Sequence, residues 1–123
     1  MIIGLGIDVV ELDRIARAMT RFGNRFLGKV LTAGELAVKP AHAVPFVAAR
    51  FAAKEAAAKA LGTGFSAGVS LTTIEVVGGE RGKPGLALHA AAMEAFRRLG
   101  GRRMHLSLTH GRDVAAAVVV FED

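Results

Sequence analysis

An α+β fold, with a small antiparallel sheet and helices packed on one side, is what this sequence predicts, and three features carry the prediction. Both ends of the chain are apolar: Met1 to Val10 is rich in Ile and Val, and Val114 to Phe121 is apolar almost throughout, as strands of a buried sheet are. Met104 to Thr109 alternates, and His110-Gly111-Arg112-Asp113 joins it to the last run as the turn of a hairpin. Between these strands lie segments of helical spacing, the most regular of which is alanine-rich and runs from Arg50 to a Gly62-Thr63-Gly64 stop. With 123 residues the chain makes a single domain, 1–123.

In the first strand, Asp8 interrupts the run Leu5-Gly6-Ile7-Asp8-Val9-Val10. A carboxylate there is costly to bury unless it is paired, hydrogen-bonded or bound to a cation. Two readings stand: it ends the strand and caps the next helix, or it ligates a metal. Glu11 to about Phe22 reads as an amphipathic helix, with Leu12, Ile15, Met19 and Phe22 on its apolar side. Arg14, Arg17 and Arg21 share another side. Arg25 continues that stripe if the helix persists past Gly23, and no acidic residue lies between Arg14 and Lys29. Such a stripe is either a solvated face or a docking surface for an acidic partner. Thr32 and Glu35 have capping-box spacing, so a short helix starts there, and Lys39 to Val44 is a loop.

Pro45 suits the first turn of the central helix. On that helix Glu55 and Lys59 stand four apart, hence on one face. They are either a surface ion pair or half of an active site. Leu71 to Val77 is a strand, Gly78 to Gly85 a turn region, and Leu86 to Leu88 a short strand. His89 to Leu99 is a second long helix, ended by Gly100-Gly101. Arg97, Arg98, Arg102 and Arg103 gather at its end, where cations suit the helix dipole. In the alternating strand His105, Ser107 and Thr109 form a polar row, ordinary on a wet face and unusual on a buried one.

Composition narrows the chemistry. The chain has no cysteine, which removes disulfides and thiol metal sites and fits a cytoplasmic setting. No basic leader precedes the first apolar run and no run approaches the ~20 residues of a membrane span, so neither signal peptide nor membrane is expected. Hydrophobic residues make up 52%, a surplus that points to burial in a homo-oligomer. The net charge of +5 suits nucleic acid, an acidic protein or a phosphorylated small molecule. With Tyr and Trp absent, a base-stacking surface is disfavoured. Gly4-Leu5-Gly6 lacks the third glycine of a nucleotide fingerprint, and no zinc spacing or nucleophile elbow occurs. Asp8, Glu55 and Lys59 remain, an oxygen-and-amine set suited to Mg²⁺ and a phosphate.

The chain resembles the holo-[acyl-carrier-protein] synthase family, the small bacterial type of 4′-phosphopantetheinyl transferase. The resemblance lies in Gly4 to Ile15, Val30 to Leu36, Arg50-Phe51-Ala52-Ala53-Lys54-Glu55-Ala56 with Lys59 to Gly64, Gly82-Lys83-Pro84, and His105 to His110. These segments are in family order and span nearly the whole chain. The resemblance implies the 4′-phosphopantetheinyl transferase fold and Mg²⁺-dependent transfer of phosphopantetheine from coenzyme A to a serine of apo-acyl carrier protein. Adenosine 3′,5′-bisphosphate is the other product. It implies Asp8 and Glu55 as metal ligands and Lys59 as a phosphate contact, all three catalytic. Glu55, directly or through a metal-bound water, is the base for the serine proton, with Asp8 as the alternative. Arg50, Lys83 and His105 fall at coenzyme A-binding positions, with Thr109 and His110 as looser assignments.

Arg14, Arg21 and Arg25 match positions that dock the acidic helix of the carrier protein. The family forms homotrimers with active sites between subunits. Departures from its pattern are modest. Ala37 to Val44 is short and poor in charge, leaving Lys39 as the loop's one candidate contact, and Gly23-Asn24 shifts the register of Arg25. Thr63 is at most a neighbour of the substrate. The competing reading is a non-catalytic basic module that binds RNA or DNA, marked by steep salt dependence and no metal requirement. A purely structural trimer is the third.

Overall fold

The structure is a computed structural model that describes residues 1–78 and 82–123. It begins with β1 (Ile2–Glu11), followed by helices α1 (Leu12–Phe22), α2 (Asn24–Val30), α3 (Ala33–Ala37) and α4 (Val44–Leu61). A 3-10 turn at Leu71–Thr73 leads to β2 (Ile74–Gly78), β3 (Pro84–Leu88), α5 (Ala90–Arg98), β4 (Arg103–His110) and β5 (Val114–Glu122). The expected α+β architecture is present, but its strands form two sheets: a three-stranded one in the order β1-β5-β4 and a two-stranded one of β2 and β3, all antiparallel. Gly79, Glu80 and Arg81 of the predicted turn lie outside the described residues.

Helix α4 is 18 residues long, with Pro45 in its first turn and a left-handed Gly62 (φ 78°) at its end. Its alanines, Ala48, Ala49, Ala52, Ala53, Ala56, Ala57, Ala58 and Ala60, are all buried. A helix buried on most of its faces is a core helix. The three-stranded sheet lies against one side of α4. On the other sides are α1, α2 and the 3-10 turn with β2, which bring Ile15, Val30, Leu31 and Ile74 into the core. Phe121 of β5 meets Phe96 of α5 edge-on, ring centres 5.0 Å apart.

Several local expectations need correcting. Asp8 does not cap α1: the strand continues to Glu11, which occupies the N-cap without a side-chain bond. The backbone at Gly23 (φ 53°, ψ −131°) ends α1, and α2 restarts at once, so Arg25 stands on a separate helix from Arg14 and Arg21. Phe22, at the last position of α1, falls beyond the core's reach and is exposed under the Arg21 guanidinium, 5.1 Å from its ring centre. Asp13 pairs with Arg17 at 3.1 Å, so one arginine of the stripe is neutralised from within α1. The strand expected from Leu71 begins at Ile74, because the first residues coil into the 3-10 turn.

The three-stranded sheet has one covered face and one open face, which corrects the reading of β1 as a buried strand. Side chains alternate along a strand, so Gly4, Gly6, Asp8 and Val10 face α4 while Leu5, Ile7 and Val9 face away. The latter are 64, 63 and 59% exposed. In register with them across β5 are Val120, Val118 and Ala116, and across β4 His105, Ser107 and Thr109. The polar row therefore lies on the open face, beside an apolar strip.

Candidate active site

The site begins with two glycines. A Cβ on Gly6 would come within 1.8 Å of the Ala56 carbonyl oxygen, and one on Gly4 within 2.4 Å of that of Ala60. Only glycine admits the helix backbone so close. With β1 lying directly on α4, Asp8 reaches the helix at the next facing position. Lys59 Nζ donates to Asp8 Oδ1 at 3.1 Å and to the Ile7 carbonyl at 3.0 Å. The Asp8 side chain is 18% exposed and that of Lys59 is 54% exposed, so the pair opens to solvent on the lysine side.

Glu55 stands one turn before Lys59 on the same side of α4. Its carboxyl is pushed above the usual range, first by burial and then by the Asp8 carboxylate, while Lys59 and Arg14 oppose the shift. Arg14 reaches this seam from α1 by lying 5.6 Å over the Phe51 ring. The geometry thus brings together Asp8, Glu55, Lys59 and Arg14 where β1, α1 and α4 meet. Two carboxylates set side by side, with the Asp8 charge raising the cost of ionising Glu55 and one amine beside them, fit a hard dication such as Mg²⁺. Among the described residues no group of three or more His, Asp or Glu side chains gathers in a metal-holding arrangement. Asp8 and Glu55 would be the two protein ligands, and Mg²⁺ is commonly held by one or two carboxylates, with waters and substrate phosphates completing its shell.

The other residues predicted for coenzyme A are divided between two other hollows. Arg50 lies with Pro40, His42, Phe46, Thr109 and His110 around one cleft. Its guanidinium stacks on Phe46 at 3.5 Å, and its Nε is buried with no hydrogen-bond partner among the described residues. Burial also pulls the Arg50 pKa down, against the pull of Glu35. His105 and Lys83 line a separate hollow where the start of β3 meets β4. There His105 Nε2 already meets Glu122 Oε2 at 2.7 Å, and Arg103 reaches the same carboxylate at 3.4 Å. His105 lies on the open sheet face and Asp8 on the covered one, so within one chain the sheet stands between them. Arg14, Arg21 and Arg25 are all exposed, and Arg25 borders a hollow with Phe22, Phe26 and Lys29. Thr63 donates its hydroxyl to the Gly64 carbonyl, at 2.8 Å.

The family model described as the 4′-phosphopantetheinyl transferase superfamily matches residues 4–119. The chain belongs to that superfamily. Within it, the chain is 54% identical over 123 residues to the holo-[acyl-carrier-protein] synthase of Maridesulfovibrio salexigens, covering 99% of each chain. Among solved structures, that of the holo-[acyl-carrier-protein] synthase from Neisseria meningitidis superposes with a TM-score of 0.92 at 39% identity, covering 100% of both chains. The Helicobacter pylori synthase, solved in complex with coenzyme A, has a TM-score of 0.85 at 29% identity, covering 96% of this chain and 99% of that one.

Three features of this phosphopantetheinyl transferase chain escaped its sequence. Gly4 and Gly6 serve the approach of strand to helix, although they were legible only as an incomplete nucleotide fingerprint. Pro40 and His42, rather than Lys39, are the loop residues that line the Arg50 cleft; a lone histidine between Ala41 and Ala43 gives no signal. Lys54 is fully buried and paired with Glu35, 19 positions earlier, at 2.6 Å. An alternation of lysine and glutamate on a helix looks like a wet surface, and only the third dimension shows otherwise.

Proposed function

We propose that the chain moves the 4′-phosphopantetheine group of coenzyme A onto a serine of apo-acyl carrier protein and releases adenosine 3′,5′-bisphosphate. The observation that carries this reading is the convergence of Asp8, Glu55 and Lys59 in a chain that matches holo-[acyl-carrier-protein] synthases from end to end. The serine oxygen attacks the phosphorus that bears the pantetheine, and the bridging oxygen leaves with the adenosine bisphosphate. Negative charge builds on the transferring and leaving oxygens. Lys59 faces that charge with an ammonium held at the edge of the site. Glu55 is the candidate base: burial and the Asp8 carboxylate raise its pKa, which makes its carboxylate the stronger proton acceptor. Asp8 and Glu55 would hold Mg²⁺, which supplies Lewis-acid stabilisation of the phosphate oxygens when bound.

Arg50, His110 and Thr109 at one cleft, and Lys83 and His105 at another, are proposed to bind coenzyme A. Their separation in one chain supports a site completed by a second copy, and the apolar open face supplies a surface for it. The proposed assembly is the homotrimer. Arg14, Arg21 and Arg25 are proposed to dock the acidic helix of the carrier. No helix among the described residues is long and apolar enough to cross a membrane; the cytoplasmic setting expected from the sequence remains part of the reading.

The test incubates the protein with apo-acyl carrier protein, coenzyme A and Mg²⁺ and follows the mass of the carrier. A gain equal to one phosphopantetheine, abolished by a chelator and restored by added Mg²⁺, is expected. An unchanged carrier that a known transferase does modify would overturn the proposal.

A further inference from the structure

Helix α4 presents a packing problem. Between Phe51 and Leu61 its buried faces are alanine methyl groups, and the one long side chain that enters the core there is Lys54. A smooth alanine surface against glycines permits close approach but resists rotation and sliding weakly, because few side chains interlock. Glu55 and Lys59 are useful only if they meet Asp8, so something must fix the helix in rotation and register.

Lys54 is among the largest fully buried side chains of the described residues. Its ammonium donates to Glu35 Oε1 at 2.6 Å and to the Val30 carbonyl at the end of α2. Glu35 is held in turn: Oε1 accepts from the Thr32 amide at 2.9 Å and Oε2 from the Val76 amide of β2 at 3.0 Å. The network continues outward, since Thr32 Oγ1 donates to Glu75 Oε2 at 2.8 Å and Glu75 Oε1 meets His89 Nε2 at 2.9 Å. The pair is thus anchored to α2, α3 and β2 together.

Stability alone is a weak reason for such a pair. Apolar residues of similar volume often serve a core as well or better, because two charges lose their hydration on burial. What a fully satisfied pair adds is directionality, which methyl packing lacks. Adjacent residues on a helix diverge by about 100°, so a rotation that displaced Lys54 would swing Glu55 by the same angle.

We propose that the buried Glu35–Lys54 pair is a positioning device that fixes the rotation and register of α4 and so holds Glu55 and Lys59 at Asp8. The inference deepens the transferase reading and rests on it for its kinetic consequence, whereas its structural consequence can be read without turnover. Neither residue touches substrate.

The decisive variant is the double substitution Glu35→Leu with Lys54→Met in the full chain, which removes both charges and keeps apolar volume. Its melting temperature is expected to stay close to that of wild type. Its kcat is expected to fall by about tenfold or more, as misplacement of reacting groups costs, with KM for the carrier, whose docking arginines lie on α1 and α2, within about twofold. A folded double variant with wild-type kcat would overturn the proposal. Its crystal structure gives the second readout: α4 turned or shifted against β1, with Lys59 no longer bonded to Asp8, is expected. An α4 in its original place, with Lys59 still donating to Asp8, counts against the idea. Should the double variant fail to fold, Glu35→Asp keeps the charge but shortens the arm. It should lower kcat without changing KM for the carrier, and unchanged kcat is again fatal. Wild-type protein that modifies no carrier refutes the transferase reading; the crystallographic comparison then still decides the positioning role.

Discussion

Glu55 is under two opposed demands. Burial and the neighbouring Asp8 push its carboxyl pKa up, so the ionised form that the proposed metal binding and base catalysis need is the form that the fold disfavours. A carboxyl with a folded pKa above its unfolded value contributes most to stability below the unfolded value. That contribution is lost as pH rises through the folded one. Above the raised pKa, and with a chelator present, Glu55→Gln is therefore expected to melt higher than wild type. The difference should shrink in acid, where the wild-type carboxyl is protonated in both states. The same substitution is expected to reduce transfer by about 100-fold or more, the size of a lost general base. Paired melts across pH and the carrier-mass assay check both halves. A Gln variant that is less stable at every pH, or one that transfers at near the wild-type rate, contradicts the assignment.

At the scale of elements, the packing of β1 on α4 decides the site. Gly6→Ala forces a methyl group into the Ala56 carbonyl, where 1.8 Å is available, and backbone cannot step aside as a flexible side chain can. A loss of about 1–3 kcal/mol or more is expected from overpacking, measurable by urea unfolding. In the molecules that still fold, transfer should drop further, because the strand that carries Asp8 is lifted off the helix that carries Glu55. Retained stability and activity would mean that the strand has room the geometry denies it. This close approach also marks how far the sequence could be read. Helix α4, the Thr32–Glu35 capping box and the β4–β5 hairpin were legible because their signals are local: alanine content, a Gly62 stop, oxygen and amide three residues apart, strict alternation. Asp8, Glu55 and Lys59 were recognisable from spacing and family pattern together. The partnership of Lys54 with Glu35, the entry of His42 into the Arg50 cleft and the restart of α2 after Gly23 were not, because each depends on packing between segments distant in sequence or on a single backbone angle.

For the molecule as a whole, the open sheet face is the feature that one chain leaves unexplained. Leu5, Ile7 and Val9 stand in register with Val120, Val118 and Ala116, forming a continuous apolar strip bordered by His105, Ser107 and Thr109. A strip of this kind on a folded chain marks a partner surface. His105 and Thr109 on that face, with Asp8 on the other, suit the proposal that coenzyme A binds where two copies meet. The composition signalled the surplus of apolar surface, but no linear pattern shows how copies are arranged about an axis; the threefold arrangement rests on family resemblance. Leu5→Lys tests it cleanly. Leu5 is 64% exposed in the single chain, so a lysine there costs the protomer little, whereas three buried ammonium groups brought together at an interface would be expensive. Light scattering is expected to show the wild type at three times the protomer mass and the variant at the 12.8 kDa of one chain, with unchanged helical content by circular dichroism. Transfer should vanish with assembly even though Asp8, Glu55 and Lys59 are untouched. A fully active wild-type monomer, or a Leu5→Lys monomer that still modifies the carrier, would show that one chain holds the complete site and that the open face serves some other purpose.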